Sequence, residues 1–438
     1  MMKCIETHIL AVVIIACSIA GCAVPPADVS GSDYRSRAVT RVQGALRVSA
    51  AVLSAEESAA VYGVPLAKKK IQPVWVEVQN NDDRNYFLLS PGMDPNFLPA
   101  SEGAEAFADG ASQDVAARLE ARFGALAFHN SIPPGKTVSG FVLTNLNAAV
   151  KLVQLDLVAS SRATTFSILI PVPGFRADYK ASEVFLRDVY PPDKIVDYTD
   201  DDAFRAVLEA LPCCSTNEDG SMNGDPLNLV IVGGLDDAFP ALVRRGWQPA
   251  EQKWSGAIMK MITSALSGER YANAPVSDLY VFGRPQDLAL QKARDTIHQR
   301  NHLRLWLTPM RYQGKPVWIG QISRDIGVRL TTHSPTLVTH KIDPDVDEAR
   351  AALTEDMGYS QNLVKVGFVG GVGGARPDAP RENLTTDPYY TNGYRVVLVF
   401  DRAPTLLSGI SLFPWNMEDL LKYPTSTTNT EIKPGAKP

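Results

Sequence analysis

His302-Leu303-Arg304-Leu305-Trp306-Leu307 and Val317-Trp318-Ile319-Gly320-Gln321-Ile322-Ser323-Arg324-Asp325 lie on either side of Gln313-Gly314, and this stretch decides how the second half of the chain folds. Its side chains alternate with a period of two, the signature of a strand, and a two-residue turn ending in Gly joins two such strands into an antiparallel hairpin. That turn predicts Trp306 opposite Gln321, Arg304 opposite Ser323 and His302 opposite Asp325. Leu303, Leu305 and Leu307 then share a face with Trp318 and Ile322, which is a core side, while the other face is polar. A slip by one residue would mix the two faces, so the sorting supports the pairing.

Outward from the hairpin, helical and extended segments alternate. Phe204, Val207, Leu208 and Leu211 form one stripe of a helix from Ala203 to Leu211, capped by Asp200 to Asp202. Asn228 to Val232 reads as a buried strand running through Gly233-Gly234 into a helix with Phe239, Leu242 and Val243. A further helix holds Trp254, Ile258, Met261, Ile262 and Ala265. Strands are expected at Asp278 to Gly283, Val364 to Val369 and Tyr394 to Phe400, with a helix from Pro344 to Met357. Residues 180 to 400 are thus expected to form a mixed α+β domain with a largely antiparallel sheet. Before them, Val74-Trp75-Val76-Glu77-Val78, then Val138 to Val142, Val153 to Leu157 and Phe166 to Ile170 alternate in the same way. Asn80-Asn81-Asp82-Asp83 and Pro133-Pro134-Gly135 supply turns, and one helix falls near Ser112 to Phe123. Short strands of this kind predict an immunoglobulin-like β-sandwich over residues 38 to 178. Gly135-Lys136-Thr137 opens a strand after a Pro-Gly turn and lacks the first Gly of a phosphate loop, since Asn130 stands there.

The chain has 438 residues, 45% of them hydrophobic and 21% charged, an ordinary globular composition. Lys and Arg number 43 against 48 Asp and Glu, for a net charge of −5, so nucleic acid is not an expected partner. Lys3 precedes an apolar run from Ile9 to Ala20, too short to span a bilayer and typical of a signal-peptide core. The run ends in Ile19-Ala20-Gly21-Cys22, similar to a bacterial lipobox, so residues 1 to 21 are expected to leave and Cys22 to carry lipid. Residues 22 to 37, rich in Pro, Ser, Gly and Asp from Pro25 to Ser36, read as a tether. Ala23 after the lipid Cys favours the outer membrane, facing the periplasm. Cys4 and Cys17 leave with the leader, so the folded part keeps the adjacent pair Cys213-Cys214, expected as a vicinal disulfide or two thiols in a structural role. Residues 401 to 438, with Thr, Pro and Lys after Tyr423, read as a tail.

Several separated motifs carry a resemblance. Pro212-Cys213-Cys214, Asn223-Gly224-Asp225-Pro226-Leu227-Asn228, Tyr280-Val281-Phe282-Gly283-Arg284, His302-Leu303-Arg304-Leu305-Trp306, Ile322-Ser323-Arg324-Asp325-Ile326-Gly327 and His340-Lys341-Ile342-Asp343-Pro344-Asp345 resemble the LssY C-terminal domain family. The resemblance implies a bacterial envelope protein. Some members carry the domain behind membrane segments of the lipid-phosphatase type; this sequence lacks them, so phosphatase activity is not implied.

On the polar face of the hairpin, Asp325 is placed to orient His302, and Arg304 to clamp a carboxylate or phosphate. Ser323 beside them completes a Ser-His-Asp set, although a flat strand provides no nucleophile elbow. Catalytic candidates are therefore His302, Asp325 and Ser323; ligand-binding candidates are Arg304, Arg324, Trp306 and His340. His340 with Asp343 and Asp345 offers metal-ligand types, but Asp343 as N-cap, Pro344 at the first helical position and Asp345, Asp347 and Glu348 behind them describe a helix start. His298 and His302 would pair on a helix, whereas His302 begins a strand. Asn217 to Asp225 has Ser215 and Pro226 where a calcium loop needs acids, and reads as a polar turn. Gly367 to Gly374 reads as a mobile loop and a candidate lid over the hairpin. No cofactor or metal is expected. The expected function is binding of an anionic small molecule or lipid headgroup, or support of envelope assembly with a protein partner. The alternatives are a hydrolase of a phosphorylated or acylated envelope component, with His302 as general base and Arg304 as anion clamp, and a purely structural lipoprotein.

Overall fold

The computed structural model describes residues 33–94, 97–174, 189–234, 236–250, 276–293, 300–330 and 338–415. The expected leader, Cys22, most of the expected tether, the helix expected around Trp254, His298, the side chain of His340 and the chain beyond residue 415 lie outside them. The protein is α+β, with antiparallel sheets first and a mixed sheet after.

Eight strands build the first unit: β1 (Val39–Gln43), β2 (Leu46–Val52), β3 (Ile71–Asn80), β4 (Tyr86–Leu88), β5 (Ser131–Ile132), β6 (Thr137–Asn145), β7 (Val150–Ala159) and β8 (Arg162–Pro171). They form two four-stranded antiparallel sheets, ordered β1-β2-β3-β6 and β5-β4-β7-β8. Val74, Val76 and Val78 point into the sandwich against Val153, Leu155, Leu157 and Ile168, as their alternation requires. Trp75, on the other face of β3, meets Tyr34, Tyr62 and Phe141 beneath the helices Ala55–Tyr62 and Gln113–Leu126. The first sheet is therefore buried on both faces. Gly140 in β6 passes so close to the next segment that a Cβ there would stand 2.6 Å from Phe128 Cα.

The second unit contains β9 (Val196–Tyr198), β10 (Cys214–Thr216), β11 (Asn223–Pro226), β12 (Leu229–Val232), β13 (Gln248–Pro249), β14 (Tyr280–Val281), β15 (Arg284–Pro285), β16 (Leu288–Ala293), β17 (Arg300–Tyr312), β18 (Lys315–Leu330), β19 (Val338–Ile342), β20 (Leu363–Val369), β21 (Arg381–Glu382), β22 (Pro388–Tyr389), β23 (Arg395–Phe400) and β24 (Ser411–Leu412). The main sheet runs β13-β16-β17-β18-β12-β23-β20-β24, with β9 on β17 and β19 on β18. It is antiparallel except for the pairs β12 with β23, β9 with β17 and β20 with β24. Leu303, Leu305, Leu307, Trp318 and Ile322 share one face, against Leu242, Leu353 and Met357 of the helices Ala238–Arg244 and Val346–Gly358. Trp306, Met310, Tyr312, Val317 and Ile319 lie on the other, against Phe204 and Leu208 of the helix Asp201–Glu209.

Phe413 and Trp415 pack on that second face too, and β24 pairs with β20, so the ordered domain continues past the expected boundary at 400. Asp200 caps its helix by accepting from Ala203 N, as expected. The later cap differs from expectation: the helix begins at Val346, and Asp345 rather than Asp343 accepts from Asp347 N and Glu348 N. Asp343 is occupied instead with Asp345 N and the Arg324 guanidinium.

The hairpin turn is where the sequence places it, with Gln313 at φ 50° and Gly314 at φ 77°, and Tyr312 opposite Lys315. Further along, two extra residues of β17 are accommodated between Leu307 and Arg311. Pro309 offers no amide there, and Thr308 Oγ1 takes the place of a ladder donor by bonding Val317 O at 2.7 Å. The expected pairing is thereby corrected: His302 faces Ser323, Arg304 faces Gln321 and Trp306 faces Ile319. A shift of two restores the original face of every side chain, so the polar and apolar sorting survives.

Candidate functional site

The polar end of the hairpin face forms one buried cluster. His302 Nε2 lies 2.6 Å from Asp325 Oδ2, now its diagonal neighbour across β17 and β18. Arg300, two residues earlier on the same face, brings Nε within 3.6 Å of the same carboxylate oxygen and donates to Gln291 Oε1 of β16 at 2.9 Å. Arg304 donates to Gln321 Oε1 at 3.0 Å and to Ser277 O. Parity explains the set, because residues 300, 302 and 304 of β17 and 321, 323 and 325 of β18 necessarily project to one side.

Asp225, at the end of β11, is buried with this cluster and accepts from Asn383 Nδ2 at 2.9 Å. Asn383 Oδ1 in turn accepts from the amides of Thr385 and Asp387, which shapes the turn that holds it. The turn before β11 is polar as expected, with Asp219 Oδ1 accepting from Ser221 N and Asn217 Oδ1 from Met222 N. Cys213 and Cys214 are joined as a vicinal disulfide at the start of the same hairpin.

Burial sets the charge states. It drives the His302 pKa below its ordinary value, more strongly than Asp325 raises it, and Arg300 and Arg304 push in the same downward direction. The imidazole is therefore neutral near pH 7, with Nε2–H donating to Asp325 and Nδ1 as the basic nitrogen. Burial raises the Asp225 carboxyl against the pull of Arg304 and Asn383, and lowers Arg300 against the pull of Asp325. The cluster is buried throughout, with His302 and Arg304 keeping 7% and 8% exposure against 3% for Asp325 and Ser323, and His302 Nδ1 is among its enclosed atoms.

Not every expected site residue belongs here. Trp306 is wholly buried, its indole donating to Arg284 O at 3.3 Å, and is core. Arg324 points to the opposite side, where it is tied to Asp343 and Glu348. His340 stands opposite Val328 in β19. Ser323 lies on β18 facing His302; on the far edge of its strand the β12 ladder ends at Gly320 and the β19 ladder begins at Asp325, with the Asn228 side chain bonding Ile322 N and O between them. The glycine-rich segment is packed rather than a lid: Val372 is 1% exposed and bonds Gly393 O through its amide, and Gly371 O accepts from Arg395.

Arg395, absent from the sequence reading, is a further buried cation. Its guanidinium donates to the carbonyls of Leu208, Leu211, Pro212, Leu227 and Gly371 at 2.5 to 3.2 Å. Burial brings its pKa down to about 10. It ties the end of the helix Asp201–Glu209, the segment leading into Cys213 and the start of β12 to one point. Arg300 had a signal in the sequence, its even spacing with His302 and Arg304; Asp225 and Asn383 had none, since only the fold brings them to the hairpin.

Among the described residues, no group of three or more His, Cys, Asp or Glu is placed to hold a metal ion. Among them also, no helix is long and apolar enough to cross a membrane. Residues 205–394 match the family described as LssY C-terminus. No curated protein matches the chain.

Proposed function

Taking residues 205–394 as a LssY C-terminal domain that holds the whole buried cluster, we propose that the protein is a lipid-anchored envelope protein that binds an anionic ligand at the edge formed by His302 and Arg304. The observation that carries this reading is the pair of guanidiniums, Arg300 and Arg304, on the face that holds the 2.6 Å bond from His302 to Asp325, with Arg304 keeping 8% exposure. Such a face attracts a carboxylate or phosphate through charge-assisted hydrogen bonds. Binding fits better than hydrolysis, because Ser323 lies on a flat strand rather than on a nucleophile elbow and both His302 nitrogens are enclosed. The anchor rests on the leader and on Cys22.

The test uses the full chain in mild detergent. Inorganic phosphate and acetate are titrated while the melting temperature is followed in wild type, Arg304→Lys and His302→Gln. A ligand that binds the native state raises the midpoint by mass action. A rise in wild type that is lost in both folded variants supports the reading. No rise, or an equal rise in the variants, overturns it. Release of phosphate from a phosphomonoester by wild type but not by His302→Gln would replace binding by hydrolysis. Incorporation of labelled palmitate in a bacterial host, abolished by Cys22→Ser, tests the anchor.

A further inference from the structure

Where the two units meet there is a cleft of about 910 Å³, well outside the hairpin cluster. One wall belongs to the sandwich, with Lys70, Asn147 and Lys151, and the other to the second unit, with Arg244, Gln248 and Gln361. The floor is built and internally satisfied. Lys151 Nζ spends its three protons on Asp94 Oδ2 at 3.1 Å, Asn145 O at 2.6 Å and Asn147 Oδ1 at 2.7 Å. Arg244 reaches across the boundary to Gln154 Oε1 of β7 while holding Ser360 O and Asn362 Oδ1 of its own unit. Asp156, the other carboxylate of the cleft, already accepts from Gln154 Nε2 at 2.9 Å and Thr165 Oγ1 at 2.7 Å.

What remains unspent toward the opening is mostly donors. Among the described residues, the Lys70 ammonium, Asn147 Nδ2 and the side-chain amides of Gln248 and Gln361 have no recorded protein partner, and Lys70 and Gln361 are exposed. Both carboxylates are committed to the floor, whereas Lys70 lines the cleft at an exposed position. The occupant that satisfies this lining is rich in acceptors and negatively charged, with hydroxyls that can return a proton to the amide oxygens. The volume exceeds what a lone phosphate or carboxylate ion fills and lies in the range of sites that enclose small organic ligands.

We infer that this cleft between the units is a binding site for an acidic saccharide, a short chain of hydroxyl-bearing rings with a carboxylate or phosphate group. Lys70 takes the charge at the rim, and Asn147, Gln248 and Gln361 take ring oxygens and hydroxyls from both walls. A ligand held in this way touches both units and stabilises their contact, beside the bridge that Arg244 makes to Gln154.

The experiment is calorimetric titration of the full chain in mild detergent with trigalacturonate, glucose 6-phosphate and, as the uncharged control, maltotriose. The expected result is binding of an acidic probe in the millimolar range or tighter, with maltotriose at least about tenfold weaker. Lys70→Glu, at an exposed position, is expected to weaken the acidic probe by about tenfold or more. Gln248→Ala weakens it less, and His302→Gln leaves it unchanged, because the cleft and the hairpin cluster are separate. Trigalacturonate alone or glucose 6-phosphate alone identifies the anionic group, and either supports the inference. Binding of none of the three, equal binding of maltotriose, or an acidic probe indifferent to Lys70→Glu overturns it.

Discussion

The bond between His302 and Asp325 supports a double-mutant cycle of His302→Ala, Asp325→Ala and the pair. Removing His302 leaves Asp325 with Arg300 at 3.6 Å and opens a small void in the sheet, a loss of about 2–4 kcal/mol. Removing Asp325 takes a carboxylate away from a buried guanidinium and a buried imidazole, a loss of about 3–5 kcal/mol. Because the hydrogen bond is short, charged on one side and enclosed, the double variant should cost about 1.5–3 kcal/mol less than the two single losses added. Urea unfolding of the full chain in mild detergent, followed by tryptophan fluorescence at a pH above 6.5, measures all four free energies. Coupling below about 0.5 kcal/mol, the level at which independent sites already add, would refute the pairing as described. The same proteins provide a pH test with a definite sign. The folded state holds His302 below its ordinary 6.5, so below that pH the unfolded chain binds more protons than the folded one. The contribution is full above pH 6.5 and is lost as pH falls toward the folded value, with a slope of up to about 1.4 kcal/mol per pH unit. Asp225 acts oppositely: its folded pKa is raised, so its contribution is full below 3.8 and declines as pH rises. The slope that His302→Ala abolishes therefore isolates the imidazole, and an unchanged slope in that variant would sink the assignment.

Two further predictions concern the scaffold around the cluster. Arg395→Lys keeps the charge but offers three donors to five carbonyls, so a loss of about 3–6 kcal/mol in chemical denaturation is expected, and a loss under about 1 kcal/mol would show that the cradle is not made. Gln313→Asn, at φ 50° in the hairpin turn, should raise stability by about 0.5 kcal/mol because Asn tolerates the left-handed region better; a lower melting temperature would contradict the turn geometry.

Much of the second unit was legible because period-two alternation is a local property. Leu303, Leu305, Leu307, Trp318 and Ile322 could be assigned to one face, and His302, Arg304, Ser323 and Asp325 to the other, without any tertiary contact. The detailed pairing was not legible. A turn residue sets the register near itself, but Thr308-Pro309-Met310 consumes two extra residues, and whether a Pro in a strand is absorbed by a bulge depends on the neighbouring strand. Trp306 shows a related limit: alternation puts it on the polar face, yet whether that part of the face meets water or a helix is decided by Phe204 and Leu208 from a hundred residues away.

The sequence by itself determined the α+β class, the strands of the sandwich, the hairpin and its two faces, the helix cap at Asp200 and the resemblance to the LssY C-terminal domain, all of which follow from local periodicity, turn chemistry or contiguous motifs. Only the tertiary structure decided that Asp225 and Asn383 close over the hairpin, that Arg395 gathers five carbonyls, that Arg324 faces away from the cluster, and that a donor-lined cleft separates the two units. Those features depend on long-range packing and on desolvation, which fix the partner and the charge state of a side chain only after distant segments have excluded water from it.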